Sequence, residues 1–270
     1  MSRDDLLSPT VAWPTLLVFF GAVILWTFSL AIGMADPRLV PLSVLLSTIA
    51  AFAAFTPMHD AAHRSLSRFN ALNVVVGWVC ATLLGSPFAA FTFVHREHHQ
   101  HTNDPVKDPD YYSGTGPRLL LPLRWATQEL HYYGRLLRGW GPKQDRLGLA
   151  MGLMVIVATF VALCIAGYAR EALLFWVLPA RIAVTLLAYT FDYLPHRPHK
   201  ITAAEDRFRA THILPGAHLT FLFLCQNYHL VHHLYPAVPF YRYPRIWKAR
   251  REELMAKGAQ EMRFFGGLPR

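Results

Sequence analysis

Val94-His95-Arg96-Glu97-His98-His99 is the stretch whose reading decides the fold. On a helix, positions i, i+3 and i+4 share a face, so His95, His98 and His99 point one way and Arg96 and Glu97 point elsewhere. The pattern returns as His229-Leu230-Val231-His232-His233, and a shorter form, His59-Asp60-Ala61-Ala62-His63, precedes both. A lone imidazole on a helix is most often a surface group or a hydrogen-bonded core residue. Eight at helical spacing in three separate clusters point to metal, because neutral imidazole is the commonest protein ligand of metal ions.

The surrounding chain is apolar. Its 270 residues are 53% hydrophobic with a mean hydropathy of +0.25, and the apolar residues come in long runs. A helix needs about 20 apolar residues to cross a bilayer. Runs of that length occupy about residues 14–35, 39–57, 147–168 and 171–194. The first lacks a small-residue cleavage pattern and reads as a retained span, not a signal peptide. Residues 70–93 are apolar again, but one crossing there would put the first two histidine clusters on opposite sides. Two crossings need about 40 residues. A re-entrant or interface-lying segment is therefore expected, broken near Gly85-Ser86-Pro87, with its irregular backbone buried in protein. Residues 118–140 mix Leu, Trp and Tyr with Arg, the composition of a helix lying in the headgroup region.

The charges agree with this layout. The net charge is +9, and Lys and Arg number one before the first span, ten between spans two and three, and twelve after span four, 23 of 26 in all. Such a balance suits a membrane surface better than nucleic acid. The positive-inside rule then places both termini and the large loops in the cytoplasm, in a bacterial inner membrane, with all three clusters on that side. The three cysteines, Cys80, Cys164 and Cys225, are odd in number, lie in apolar surroundings and form no C-x-x-C, which argues against disulfides or thiolate metal ligation. The expected architecture is all-α: one domain, 1–270, an integral membrane bundle of about four transmembrane helices with a cytoplasmic, histidine-rich di-metal cap.

Eight imidazoles exceed the three or four protein ligands one ion needs, so two metals are the economical reading. A pure imidazole set fits iron, zinc, copper or nickel. The expected ligands are His59, His63, His95, His98, His99, His229, His232 and His233. His196, just after the fourth span, and Asn227, just before the last cluster, are further candidates. Ligating histidines usually donate their outer nitrogen to a carboxylate or carbonyl, and Asp60, Glu97 and Asp192 lie close enough in sequence to serve. His101, His199, His212 and His218 carry no clear spacing and are expected in solvent. His131 belongs with the interfacial helix. Arg181 falls inside the fourth span, where a charge faces the bundle interior and either pairs with an acidic group or lines a substrate path.

The pattern H-x3-H, H-x2-HH, H-x2-HH on a four-span chain resembles the membrane fatty-acid desaturase superfamily. Longer stretches look closer to the cyanobacterial-type beta-carotene hydroxylases. They are His59-Asp60-x-x-His63, Asn103-Asp104-Pro105 through Asp108-Pro109-Asp110, Phe191-Asp192-Tyr193-Leu194-Pro195-His196-Arg197-Pro198, and Gln226-Asn227-Tyr228-His229-Leu230-Val231-His232-His233. The resemblance covers roughly residues 55 to 250. It implies two iron ions, dioxygen as co-substrate and electrons from an external donor such as ferredoxin, and it makes His196 a ligand. It implies a monooxygenase or desaturase acting on C–H bonds of a lipid-soluble substrate, first of all hydroxylating the ring of beta-carotene-type carotenoids. A fatty-acyl desaturase or hydroxylase is the alternative. A metal transporter is disfavoured because the histidines lie outside the spans. An all-histidine zinc hydrolase stands as a further reading.

Overall fold

In the computed structural model, residues 3–263 are described. The outermost residues, 1–2 and 264–270, expected on the cytoplasmic side, lie outside them. Helix α1, Trp13–Ala35, opens with a proline in its first turn, where the missing N–H costs nothing. Asp36 ends it and turns the chain, its carboxylate accepting the Arg38 N–H at 2.9 Å. Helix α2, Val40–Ala62, returns. Each has 23 residues, about 35 Å at 1.5 Å per residue and enough for a hydrocarbon core of about 30 Å. Helix α2 does not stop at Pro57 where the apolar run does. It continues to Ala62, so His59 stands in its last turn and His63 caps it.

Next come α3, Asn70–Leu84, and α4, Phe88–His101, which meet at 97°. Gly85 takes φ +62°, a left-handed conformation that ends α3 without Cβ strain. Pro87 then pre-sets the start of α4. The bend lets an apolar segment enter the bundle and come back with His95, His98 and His99 on the side of His59. After it lie α5, Leu121–Ala126, and α6, Gln128–Leu137. The segment read as one interfacial helix is thus two short ones, broken at Thr127, whose hydroxyl lies 3.0 Å from that of Tyr112. Leu119, Leu123, Leu130 and Leu137 remain exposed along it.

Helices α7, Lys143–Ile165, and α8, Ala169–Tyr193, complete four apolar helices long enough to span a membrane. Among the described residues there is no strand, only two isolated bridges. The chain is an all-helical membrane bundle with a histidine-rich cap. Helix α2 packs on α1, α3 and α8, and the fully buried Ala50, Ala51 and Ala54 let the helices approach closely. Polar groups between the spans pair with one another, as lipid favours. Ser29 and Ser47 share a hydrogen bond at 2.6 Å, and Trp26 Nε1 donates to the Phe175 carbonyl at 3.0 Å. Helix α8 contains two widened, π-type stretches, Leu173–Val177 and Ala188–Tyr193. Such bulges often mark functional sites, and the second precedes His196.

Arg181 of α8 pairs with Glu129 of α6 at 2.6 Å and donates to the Leu84 carbonyl at 2.9 Å. One guanidinium thereby ties the fourth span to the bend and to the interfacial helices. The C-terminal part adds α9, Ala217–Leu222, α10, His229–Leu234, and α11, Tyr243–Ala256. Leu230 and Val231 of α10 bury against Tyr243, Ile246 and Trp247 of α11.

Helix α7 meets the bend through glycine. A Cβ on Gly152 would lie 2.5 Å from Pro87 Cβ and 3.1 Å from its Cα, whereas one on Gly21 would meet nothing within 4 Å. Gly152→Ala is therefore expected to destabilise the bundle by about 1–3 kcal/mol, with Gly21→Ala close to neutral. Thermal unfolding in detergent checks this, and equal melting temperatures for the two variants would contradict the packing described.

Candidate metal centre

The three histidine clusters arrive on different elements: the end of α2, the last turns of α4, and α10. Buried packing of α10 against α11 turns His229, His232 and His233 inward. The result is two groups. His59, His63, His95, His99 and His232 form one, and His98, His196, His229 and His233 form the other. Within each group one nitrogen per ring lies within 4.8 Å of all the others. Six of the nine rings are buried and three half-buried.

The short contacts are between Nε2 atoms. His99 faces His232 at 2.8 Å and His95 at 3.2 Å, and His59 faces His232 at 3.0 Å. In the second group His196 faces His229 at 2.8 Å, His233 faces His229 at 3.0 Å and His98 faces His233 at 3.3 Å. Two nitrogens about 2.1 Å from one ion and at right angles stand about 3 Å apart. A hydrogen-bonded chain would need an N–H in each contact. Yet His99 Nε2 and His232 Nε2 each face two partners, and a neutral ring has one N–H in total. Converging lone pairs fit a cation at each centre. Burial acts the same way, holding His196, His229, His232 and His233 well below the ordinary imidazole range and so unprotonated.

With Nε2 turned inward, the outer Nδ1 atoms carry the protons. His98 Nδ1 donates to Asp108 Oδ1 at 2.8 Å. Asp108 also accepts the Asp110 N–H at 2.8 Å and the Asn103 N–H at 2.6 Å, Asn103 being held left-handed at φ +64°. His232 Nδ1 donates to the Tyr243 hydroxyl at 3.0 Å, and His233 Nδ1 lies 3.3 Å from Thr102 Oγ1. His98, Asp108 and Asp110 also form a metal-sized cluster. We read Asp108 as the fixed partner of a ligand ring, since donors already meet both its oxygens.

The groups expected from sequence to play this part do something else. Asp60 accepts Thr15 Oγ1 at 2.8 Å and the Phe240 N–H at 3.4 Å, tying α1 and the C-terminal part to the end of α2. Asn227 donates to the Leu214 carbonyl at 2.8 Å, bracing the turn before α10. Asp192 lines a cavity beside His98. No hydrogen bond joins these three, or Glu97, to a histidine ring among the described residues. Asp108 could have been found from the quoted Asp108-Pro109-Asp110 run. Tyr243 and Thr102 carry no local signal.

Two further expectations are corrected. His199 and His212 are buried, not solvent-exposed. His199 packs over Gly114, where any Cβ would collide with its ring, and His212 Nε2 donates to the Arg197 carbonyl at 2.8 Å. His218 is exposed and His101 half-buried. His131 lies on α6, stacked on Tyr112 with ring centroids 4.3 Å apart.

A cavity enclosed by α2, the bend, α6 and α8 ends on this centre. His59, His95, His98 and His229 face it. Its wall is aromatic: Phe55 stacks on Phe191 at 5.3 Å and meets Phe91 edge-on at 5.8 Å, and Phe91 stacks on His95 at 5.2 Å. Polar side chains, among them Asp110, Asp192 and Gln226, share the lining with these rings.

Comparison with known proteins agrees with this geometry. Two relatives named beta-carotene ketolase, from Paracoccus strains, are 32% and 31% identical, over 78% and 84% of this chain and 80% and 86% of their own lengths. An sn-1 oleoyl-lipid 12-desaturase from Arthrospira platensis is 26% identical over 85% of this chain and 73% of its own. The family model described as fatty acid desaturase matches residues 37–265. The chain is therefore a membrane oxidoreductase belonging to the fatty acid desaturase family.

Proposed function

We propose that this chain is a di-iron, dioxygen-dependent enzyme that oxidises a ring C–H bond of a beta-carotene-type carotenoid, with hydroxylation as the primary reaction. The observation that carries it is the aromatic cavity ending on two converging sets of imidazole nitrogens. His59, His63, His95, His99 and His232 would hold one iron, and His98, His196, His229 and His233 the other. Bound iron supplies the activation of dioxygen.

The chain's own groups do the rest. Phe55, Phe91 and Phe191 orient the hydrocarbon against the histidines, and positioning decides whether a C–H bond is hydroxylated or a second hydrogen is lost to give a double bond. Asp108 and Tyr243 fix the tautomers of His98 and His232. A second hydroxylation at one ring carbon gives a hydrate that loses water to a ketone, the product class for which the Paracoccus relatives are named. The desaturase relative supports a second reading, oxidation of a fatty-acyl chain in the same cavity.

We read residues 1–270 as one domain, with the centre and both termini on the cytoplasmic side of a bacterial inner membrane, supported by the placement of Lys and Arg. Electrons would come from an external donor such as ferredoxin, which a basic surface would attract if acidic.

Expression in bacteria that accumulate beta-carotene, beside His232→Ala and His98→Ala, tests the substrate. Oxygenated carotenoids are expected from the wild type and from neither variant. Unchanged pigment with the iron-loaded protein present would sink unsubstituted beta-carotene as the substrate, and the same result with a ring-hydroxylated carotenoid would turn attention to the cell's acyl lipids. Asp108→Ala is expected to weaken metal binding about 10–100-fold. Metal titration followed by dialysis measures this, and wild-type retention would remove Asp108 from the support of His98.

A further inference from the structure

The cavity is not uniformly apolar. Two glutamines line it, Gln128 at the start of α6 and Gln226 three residues before His229. Both are buried, at 2% exposure. Gln226 Nε2 and Gln128 Oε1 have no hydrogen-bond partner. A buried polar atom left unpaired costs more than a typical hydrogen bond contributes, so each such atom calls for an explanation.

The orientation of Gln128 is fixed by its neighbours. The Tyr132 hydroxyl donates to Asp110, so its oxygen is free to accept, and Gln128 Nε2 donates to it at 2.7 Å. The Gln128 carbonyl is thereby the free end. Gln226 is held by unusual backbone. Leu224 and Cys225, immediately before it, both adopt left-handed conformations, φ +47° and +62°. Neither is glycine, and strain of this kind persists where the surroundings enforce it. It opens the short turn Gln226–Tyr228 that leads into α10.

We propose that Gln226 and Gln128 are specificity-determining residues that recognise a hydroxyl group on the substrate ring. The free groups are one donor and one acceptor. A hydrocarbon ring satisfies neither and a carbonyl only the donor, whereas a hydroxyl accepts from Gln226 and donates to Gln128. The preferred substrate is then a carotenoid whose ring already carries an alcohol. This rests on the carotenoid reading above and deepens it. A site built to hydrogen-bond a hydroxyl discriminates strongly against the analogue that lacks it, because its own polar groups are left unpaired.

The test is a pair of bacterial strains, one accumulating beta-carotene and one its ring-hydroxylated form. Each carries the wild type, Gln226→Met or Gln128→Met, with the amount of folded protein measured after detergent extraction. The wild type is expected to convert the hydroxylated pigment at least about tenfold faster, and each variant to lower that ratio about tenfold. A wild-type ratio at or below one overturns the proposal without any variant. Wild-type ratios in both folded variants also overturn it, leaving the two amides to water and the carotenoid reading intact. Conversion of neither pigment by the wild type overturns the carotenoid reading and this proposal together.

Discussion

Nine imidazole rings converge on two points at one end of the helical bundle, and the rest of the structure is arranged around that convergence. Repulsion between lone pairs about 3 Å apart opposes that convergence unless a cation sits between them. Burial favours it at His229, His232 and His233 by keeping those rings neutral. The outer nitrogens must then be held from behind, and Asp108, Tyr243 and Thr102 do so for three rings. Three N–H groups, those of Asn103, Asp110 and His98 Nδ1, meet the two Asp108 oxygens and hold this side chain in place behind His98.

The bundle supplies the scaffold. Two long helices alone would present one cluster. The 97° bend between α3 and α4 returns the second cluster to the same face, and the short α10, wedged against α11, closes the third over both. Arg181 locks this arrangement from within the membrane by joining α8, α6 and the end of α3. A charge in the apolar layer is tolerated because a carboxylate and a carbonyl complete its shell. The same contacts wall the cavity, so the elements that fix the histidines also shape what reaches them.

Much of this was legible in the chain, because spacing along a helix is a local property. The i, i+3, i+4 histidines and the four apolar runs follow from periodicity and length, and Gly85-Ser86-Pro87 lies where the two helices bend. What stayed hidden depends on contacts far apart in sequence. Glu129 meets Arg181 across 52 residues, and Thr102 meets His233 across 131. Asp60 and Asn227, adjacent to the histidines in sequence, were natural candidates for supporting their rings, but each is claimed by backbone from elsewhere. His199 and His212 look like loop histidines and are buried because Gly114 and the 195–197 turn cover them.

On the function proposed above, these nine histidines hold two iron ions. Metal analysis of active, detergent-purified protein, by elemental mass spectrometry with protein quantified by amino-acid analysis, tests it most directly. Two irons per chain are expected, with about half lost when His229→Ala removes a ligand from one group. Zinc at full occupancy in an active preparation, or a single iron per chain at full activity, would contradict it.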